Sequence, residues 1–237
     1  MKTSVGGAVY KNLASAVSIL GVLPLCLLLV SDGYQYLIPL IVYNNIMDDL
    51  DGILAAKLNI RSRLGANLDN LCDAVSHVIF VMVILVHFLG DAQPGNLVCA
   101  TLGMAAVVAI LLRVGTRLDP GQVAPSGSPT NELIRHLLFM LLLANTFSFD
   151  PVPYLGVVFL FHTVSMLVPF AMPHQIRSLA KSTFAISMVN VALIVAWLMP
   201  GATPIVATFF FGAYLFSLSV GAVRQIRGPS VGEDLKG

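Results

Sequence analysis

Long apolar runs alternate along this chain with short breaks that contain polar residues, proline or glycine. A run of roughly 17–25 apolar residues is long enough to cross a lipid bilayer as a helix. Segments of this kind can be placed at Leu13–Val30, Tyr34–Ala55, Ala66–Leu89, Asn96–Leu112, Leu133–Phe149, Val152–Ala171, Thr183–Met199 and Pro204–Val223. The pattern therefore predicts an all-α fold, a polytopic transmembrane bundle of eight helices.

The composition points the same way. Hydrophobic residues make up 57% of the 237 residues and the mean hydropathy is +0.87, which is too apolar for an ordinary soluble domain. We expect residues 1–237 to form a single integral membrane domain that ends in a flexible polar tail at residues 228–237. Cys26, Cys72 and Cys99 lie in or beside apolar segments without a pairing pattern, which indicates buried free thiols.

Charge placement gives the predicted helices a direction. Cytoplasmic loops of membrane proteins collect Lys and Arg. With the N-terminus inside, all 13 Lys and Arg residues fall on the cytoplasmic side, whereas the opposite loops carry Asp32, Asp91 and Asp150 and no base. A count of six helices breaks this pattern unless two adjacent segments are removed together. We therefore expect both termini on the cytoplasmic side of a bacterial or archaeal cytoplasmic membrane.

Four aspartates lie inside two consecutive apolar segments: Asp48, Asp51, Asp69 and Asp73. A carboxylate at membrane depth is costly to desolvate, so a cluster of them indicates a bound cation. Asp48 and Asp51 are three residues apart and Asp69 and Asp73 are four apart, which puts each pair on one face of its own helix. The connection at residues 57–63 is basic, so we expect it to lie in water and to fold the two helices back on each other.

Facing carboxylates on two helices suit Mg²⁺ or Mn²⁺, because hard cations take oxygen ligands and helical bundles hold one or two such ions in this way. Gly52 and Gly65 remove side chains where a ligand or a neighbouring helix comes close. One alternative is that the acids form salt bridges between helices. Another is a cation transporter or channel, although carriers often show repeated halves and these acids lie in one hairpin.

At these positions the chain resembles the CDP-alcohol phosphatidyltransferases, whose signature is Asp-x2-Asp-Gly-x2-Ala-Arg, about eight residues, then Gly-x3-Asp-x3-Asp. Seven signature positions match in identity and spacing: Asp48, Asp51, Gly52, Ala55, Gly65, Asp69 and Asp73. The resemblance covers mainly residues 12–89. The family's Arg is replaced by Ala56, followed by Lys57. Because that Arg is expected to help hold the nucleotide donor, an inactive relative that binds lipid nucleotide stays open as an alternative.

The resemblance implies a six-helix family core plus two helices, and a homodimer. It implies transfer of a phosphatidyl group from a CDP-lipid of the CDP-diacylglycerol type to the hydroxyl of a small polar alcohol, with release of CMP and no nucleic-acid partner. Two Mg²⁺ or Mn²⁺ ions would be held by Asp48, Asp51 and Asp69. Asp73 would be a further ligand and the general base for the acceptor hydroxyl.

Several further residues are expected to bind substrate. Asn12 resembles the Asn of the family's Asn-Leu-x-Thr-type N-terminal motif, but a helix cap explains it equally well. Asn44 and its neighbour Asn45 suit either a cytidine pocket or an interhelical hydrogen bond. Arg113 and Arg117 suit either a substrate phosphate or a basic membrane edge. The same group includes the signature-region residues Gly52, Ala55, Lys57 and Gly65.

The acceptor is suggested by residues 68–76, Leu-Asp-Asn-Leu-Cys-Asp-Ala-Val-Ser, which are similar to a run typical of phosphatidylserine synthases within the family. This implies L-serine. His77 and Val78 replace the Phe-Gly that would normally follow, so choline, glycerol 3-phosphate and inositol phosphate stay open. Two neighbouring residues have less specific interpretations. Asp49 does not belong to the signature, and we expect it either to face solvent or to support a metal ligand without binding the metal itself. His77 either packs in the core or modulates the Asp73 carboxylate.

Overall fold

The computed structural model describes residues 12–60, 62–90, 93–118, 127–170, 172 and 183–227. Within these ranges the chain forms eight α-helices and no β-strand. The helices are α1 Leu13–Val22, α2 Leu37–Lys57, α3 Arg63–Phe88, α4 Pro94–Leu118, α5 Thr130–Phe147, α6 Val152–Leu167, α7 Thr183–Leu198 and α8 Thr203–Arg227. The all-α prediction with eight helices is confirmed. Arg61, Asp91 and the predicted tail at residues 228–237 lie outside the described residues.

The first predicted segment is helical in two forms. The α-helix α1 continues as a 3₁₀ helix at Leu23–Leu29, which has a proline at its start and ends before the chain turns back. Asp32 adopts a left-handed backbone conformation with φ 60°. A Cβ on Gly33 would lie 2.6 Å from the carbonyl oxygen of Leu27, so only glycine allows the chain to pass this close. A second 3₁₀ helix at Gly33–Tyr36 then leads into α2.

Several helix ends differ from the hydropathy boundaries by a few residues, and two of the differences have a clear cause. The fourth helix continues past the predicted end at Leu112 to Leu118, so Arg113 and Arg117 belong to a helix. The reason is that a basic residue interrupts an apolar run without breaking helical hydrogen bonding. The sixth helix stops at Leu167 instead of Ala171, because proline follows Val168 and forces that residue into an extended conformation with ψ 142°.

The centre of the bundle is α5. This helix contacts α2, α3, α6, α7 and α8, and its side chains Leu133, Leu137 and Phe139 are fully buried. The first helix packs against α2 and α3, and α4 packs against α3 and α6. The two helices that carry the aspartates are therefore enclosed by α1 on one side and by α5 on another.

The outer surface is apolar. By length and composition, α3, α4 and α8 can each cross a membrane, and shorter apolar helices lie at Leu13–Leu29, Val152–Leu167 and Ile186–Leu198. Val86 on α3 is 74% exposed and Ile205 on α8 is 75% exposed. Large apolar side chains on several outer faces are costly in water and favourable in lipid. The bundle is therefore built to sit in a membrane.

Candidate active site

The signature aspartates of α2 and α3 converge. Carboxylate oxygens of Asp48, Asp51 and Asp69 all lie within 4.8 Å of one another. Asp69 lies beside Asp51 and Asp48, and Asp73 lies beside Asp48 and Asp69, close enough for their charges to interact. The two pairs that were predicted from their helical spacing therefore form one four-carboxylate centre between the two helices.

A tight connection between α2 and α3 brings the pairs together. Asn59 adopts the left-handed conformation with φ 54°, directly after the last turn of α2. This conformation commonly ends a helix. Ser62 then caps α3, because its hydroxyl accepts a hydrogen bond from the Gly65 amide over 3.0 Å. The chain reverses within a few residues, so Asp51 near the end of α2 meets Asp69 near the start of α3.

The electrostatics of this centre favour a cation. At a separation of 4.8 Å, two carboxylates repel by about 3 kcal/mol at an effective dielectric constant near 20. Arg117 on α4 interacts favourably with both Asp69 and Asp73, and its guanidinium donates to Asn70 Oδ1 over 3.3 Å. Within the described residues, every metal-ligand atom that this cluster offers is a carboxylate oxygen. Mg²⁺ and Mn²⁺ prefer oxygen ligands of this kind. The residues present therefore fit a divalent cation of this class.

Two side chains outside the signature hold individual carboxylates. Ser18 on α1 is buried and its hydroxyl donates a hydrogen bond to Asp51. Asn131 on α5 donates from Nδ2 to Asp48 Oδ2 over 2.7 Å. Neither residue was predicted from the sequence. The signal for Ser18 was a polar residue within an apolar helix, but no local pattern connects residue 131 with residue 48.

A second polar group surrounds Asp49. The Asp49 carboxylate accepts hydrogen bonds from Asn45 over 3.3 Å and from Asn190 of α7 over 2.8 Å. Arg135 of α5 donates from Nε to Asn45 Oδ1 over 2.9 Å and forms an ion pair with Glu132 over 3.0 Å. Asp49 thus lies beside the four-carboxylate centre and links α2 to α7.

The residues predicted to contact the donor differ in their surroundings. Gly52 is exposed, and a Cβ at this position would have no neighbour within 4 Å in the part of the chain that the structure describes, which leaves open space beside it there. A Cβ on Gly65 would lie 3.1 Å from Ser62 Oγ, so this glycine serves a close approach of protein groups. Ala55 is half-buried, and Lys57 is exposed at the end of α2.

The two asparagines with alternative interpretations also have defined positions. Asn12 occupies the N-cap position of α1, and its side chain makes no capping hydrogen bond. Asn44 points its Nδ2 at the Gly21 carbonyl of α1 at 3.5 Å, as the interhelical alternative requires. Their contacts with a nucleotide stay predictions.

Arg113 and Arg117 lie in different environments. Arg113 is buried and donates to the carbonyl oxygens of Gly127 over 3.2 Å and of Met166 over 3.5 Å, so it ties the end of α6 to the segment before α5. Arg117 faces the carboxylates, as described above. His77, one turn after Asp73, is also buried, and its Nδ1 has no hydrogen-bond partner among the described residues.

The fold and the site define a polytopic helical membrane protein with a carboxylate centre, of a chemistry that suits a divalent cation, on one helical hairpin. The family model for CDP-alcohol phosphatidyltransferases matches residues 10–208 of the chain. The chain belongs to this family, and the match extends from the first helix into α8, well beyond the part that carries the signature. No curated protein matches the chain significantly in sequence. Family membership assigns phosphatidyl transfer from a CDP-alcohol to an alcohol, carried out by an integral membrane protein.

Proposed function

We propose that this protein transfers the phosphatidyl group of a CDP-diacylglycerol-type lipid to the hydroxyl of L-serine and releases CMP. The observation that carries the proposal is the convergence of four signature carboxylates from α2 and α3. The family supports the reaction class. The choice of serine rests on the similarity of residues 68–76 to the phosphatidylserine synthase sequence.

The four aspartates have distinct roles in this reaction. Asp48, Asp51 and Asp69 hold the cations, two Mg²⁺ or Mn²⁺ ions in the family pattern, and Asp73 is a further ligand. When bound, the ions supply charge neutralisation on the donor pyrophosphate, which makes CMP a better leaving group. The acceptor oxygen bonds to the phosphatidyl phosphorus while the bond from that phosphorus to the CMP oxygen breaks. The hydroxyl proton passes to a carboxylate oxygen of Asp73 as general base.

The donor lies beside the signature turn of α2. The open space at Gly52 leaves room for the nucleotide next to the carboxylates. Ala55 and Gly65 have small side chains and therefore leave room for the donor. Lys57 supplies a positive charge where the family's Arg is missing. Asn12 and Asn44 contact the nucleotide from the α1 side. Lys57 binds as a point charge, so it holds the pyrophosphate less specifically than a forked guanidinium does.

The acceptor enters from the side of α4. The guanidinium of Arg117 interacts with Asp69 and Asp73. Its positive charge can therefore bind the carboxylate of serine close to the proposed base. Arg113 supports this side of the site through its contacts with the backbone at Gly127 and Met166.

The site opens to the cytoplasm of a bacterial or archaeal cell. Alternate crossing by the eight helices would put the end of α2, the start of α3, the end of α4, the start of α5 and the end of α8 on one side of the membrane. The basic residues of these ends share that side: Lys57, Arg63, Arg117, Arg135, Arg224 and Arg227. We also propose a homodimer, on the family resemblance alone.

Release of CMP from purified protein in detergent tests the proposal. CDP-diacylglycerol is supplied with Mg²⁺ or Mn²⁺ and with L-serine, choline, glycerol 3-phosphate or an inositol phosphate. Metal-dependent CMP release that is fastest with serine, is lost in Asp73→Asn and persists in Asp49→Asn is the expected result. Asp49→Asn is the matched control because it removes a neighbouring charge and keeps an acceptor oxygen for Asn190.

Other outcomes would contradict defined parts of the proposal. Metal-dependent CMP release that survives Asp73→Asn refutes the assigned base, and a preference for choline or a phosphorylated alcohol refutes serine. Absence of CMP with every acceptor, together with binding of CDP-diacylglycerol, favours the second candidate function. That function is a lipid-nucleotide-binding relative without turnover, and its supporting observation is Ala56 in place of the family's Arg.

A further inference from the structure

We propose that Asn131 is a positioning residue for the metal centre: its amide fixes one oxygen of Asp48 and leaves the other oxygen of that carboxylate for the cation. The inference rests on the proposed function, because Asp48 is one of the proposed ligands. Asn131 lies outside the signature and 83 residues after Asp48 in the chain.

The contact is short and chemically directed. Asn131 Nδ2 lies 2.7 Å from Asp48 Oδ2. A carboxylate only accepts hydrogen bonds, so the amide must present its nitrogen, since its oxygen would be repelled. An oxygen that receives this hydrogen bond is held in one direction and stays charged. Carboxylate ligands of metal sites are commonly oriented by a partner of this kind.

A second hydrogen bond fixes the register of the two helices. Arg135, four residues after Asn131, donates to Asn45, three residues before Asp48, over 2.9 Å. The order along α5 is therefore the reverse of the order along α2, so the helices run antiparallel where they touch. Four residues of one helix span about 6 Å and three residues of the other about 4.5 Å, so the two hydrogen bonds are about one turn apart. A sliding movement that broke one of them would also break the other.

The helix that carries Asn131 is itself held firmly. Leu133, Ile134, Leu137 and Leu138 follow directly and are all buried. The helix contacts five other helices of the bundle, so its first turn cannot shift without disturbing the core. Asn131 and Asp48 are both only half-buried, so the contact lies within reach of solvent. A rigid donor on a central helix is what accurate orientation of a ligand requires.

A merely structural tie between α5 and α2 makes a different prediction from a positioning role, and Mn²⁺ binding separates the two. The full-length protein is purified in detergent, and bound Mn²⁺ is measured by electron paramagnetic resonance without substrate. The variants are Asn131→Leu, Asn131→Ser and Asp48→Asn. Asn190→Ala is the control, because it removes an amide that donates to Asp49 instead of Asp48. Tm is measured for each variant.

The positioning role predicts that Asn131→Leu and Asn131→Ser weaken Mn²⁺ binding by about 10–100-fold, whereas Asn190→Ala keeps the wild-type affinity although the loss of its own interhelical hydrogen bonds lowers Tm. Asn131→Ser keeps a polar side chain, but that side chain is too short to reach Asp48. This variant provides the result if Asn131→Leu does not fold. Wild-type Mn²⁺ affinity in both Asn131 variants, with loss in Asp48→Asn, overturns the positioning role and leaves the proposed function standing. Unchanged affinity in Asp48→Asn overturns both, because Asp48 is then not a ligand.

Discussion

Asn190 donates a hydrogen bond to the Asp49 carboxylate over 2.8 Å, although 141 residues separate the two in the chain. Asn45 completes the arrangement, since its Nδ2 lies 2.8 Å from Asn190 Oδ1 and 3.3 Å from Asp49. Three side chains thus close a hydrogen-bonded triangle between α2 and α7. Asp49 does not belong to the signature, and its position next to Asp48 means that α7 is docked on the helix that carries the proposed metal ligands.

Asn190→Leu is expected to weaken this docking. The change roughly keeps the side-chain volume but removes the hydrogen bonds of Asn190 to Asp49 and Asn45, together with the weaker one to the Ile186 carbonyl of its own helix. The Asp49 carboxylate then keeps only the 3.3 Å hydrogen bond from Asn45 among those described above. Interhelical hydrogen bonds in membrane proteins contribute about 0.6 kcal/mol on average and up to about 1.7 kcal/mol. Thermal unfolding in detergent should show a lower Tm than in the wild type.

Ser187→Ala is the matched control, because Ser187 is exposed on the same helix and its hydroxyl donates to the Thr183 carbonyl of that helix. It should leave Tm unchanged. An Asn190→Leu protein as stable as the wild type would show that the triangle does not hold α7 in place.

Ser18→Ala is expected to raise the metal concentration needed for activity. The Ser18 hydroxyl donates to Asp51, and loss of an outer partner of a ligand carboxylate costs about tenfold or more in metal affinity. Titration of CMP release with Mn²⁺ measures the shift. Ser219→Ala is the comparison, since Ser219 is exposed on α8 and bonds to Leu215 of its own helix. An identical Mn²⁺ titration in the Ser18 variant would exclude a role for this hydroxyl at the centre.

Gly52→Ala should separate folding from donor binding. A Cβ at this position meets none of the described residues within 4 Å, and alanine in a helix interior is favoured over glycine by about 0.5–1 kcal/mol. Tm should therefore stay the same or rise. The added methyl group enters the space that we assign to the nucleotide, so KM for CDP-diacylglycerol should increase. Wild-type kinetics in this variant would mean that the donor does not use the space.

Gly127→Ala, unlike Gly52→Ala, is expected to lower stability. Gly127 has φ +78°, and its added Cβ would lie 2.4 Å from the Met166 carbonyl oxygen. We expect a lower Tm for this variant with or without substrate, because an alanine at this position strains the backbone conformation.

The local sequence pattern was sufficient to predict the helices and the pairing of the carboxylates. Hydropathy places eight helices because a span of lipid demands a long apolar run, and it misplaces the end of α4 because Arg113 changes polarity without ending a helix. The pairs Asp48 with Asp51 and Asp69 with Asp73 follow from helical spacing, and the short connection forces them to face each other. Both inferences concern residues that are close in the sequence.

Contacts between distant helices could not be predicted in this way. Asn131 and Asn190 reach α2 only because α5 and α7 pack against it, and neither helix carries a sequence feature that specifies its neighbour. Hydropathy also missed the change from α-helix to 3₁₀ helix at Leu23 and the close turn at Gly33, since both depend on backbone geometry instead of polarity. The outer partners of the carboxylates therefore had to be found in three dimensions.

Ala56→Arg tests the departure from the family signature. Ala56 is exposed in the last turn of α2, directly before Lys57, so a longer side chain can extend without displacing core residues. A hydrogen bond to a charged group contributes about 1.5–3 kcal/mol, and 1.4 kcal/mol corresponds to a factor of ten in affinity. We expect KM for CDP-diacylglycerol to fall by about tenfold or more in steady-state CMP release. Ala56→Lys should gain less, because an ammonium group lacks the forked geometry that grips two phosphate oxygens. Equal gains in both variants would indicate that charge alone was missing, and no gain in either would indicate that Lys57 already occupies the place of the family's Arg.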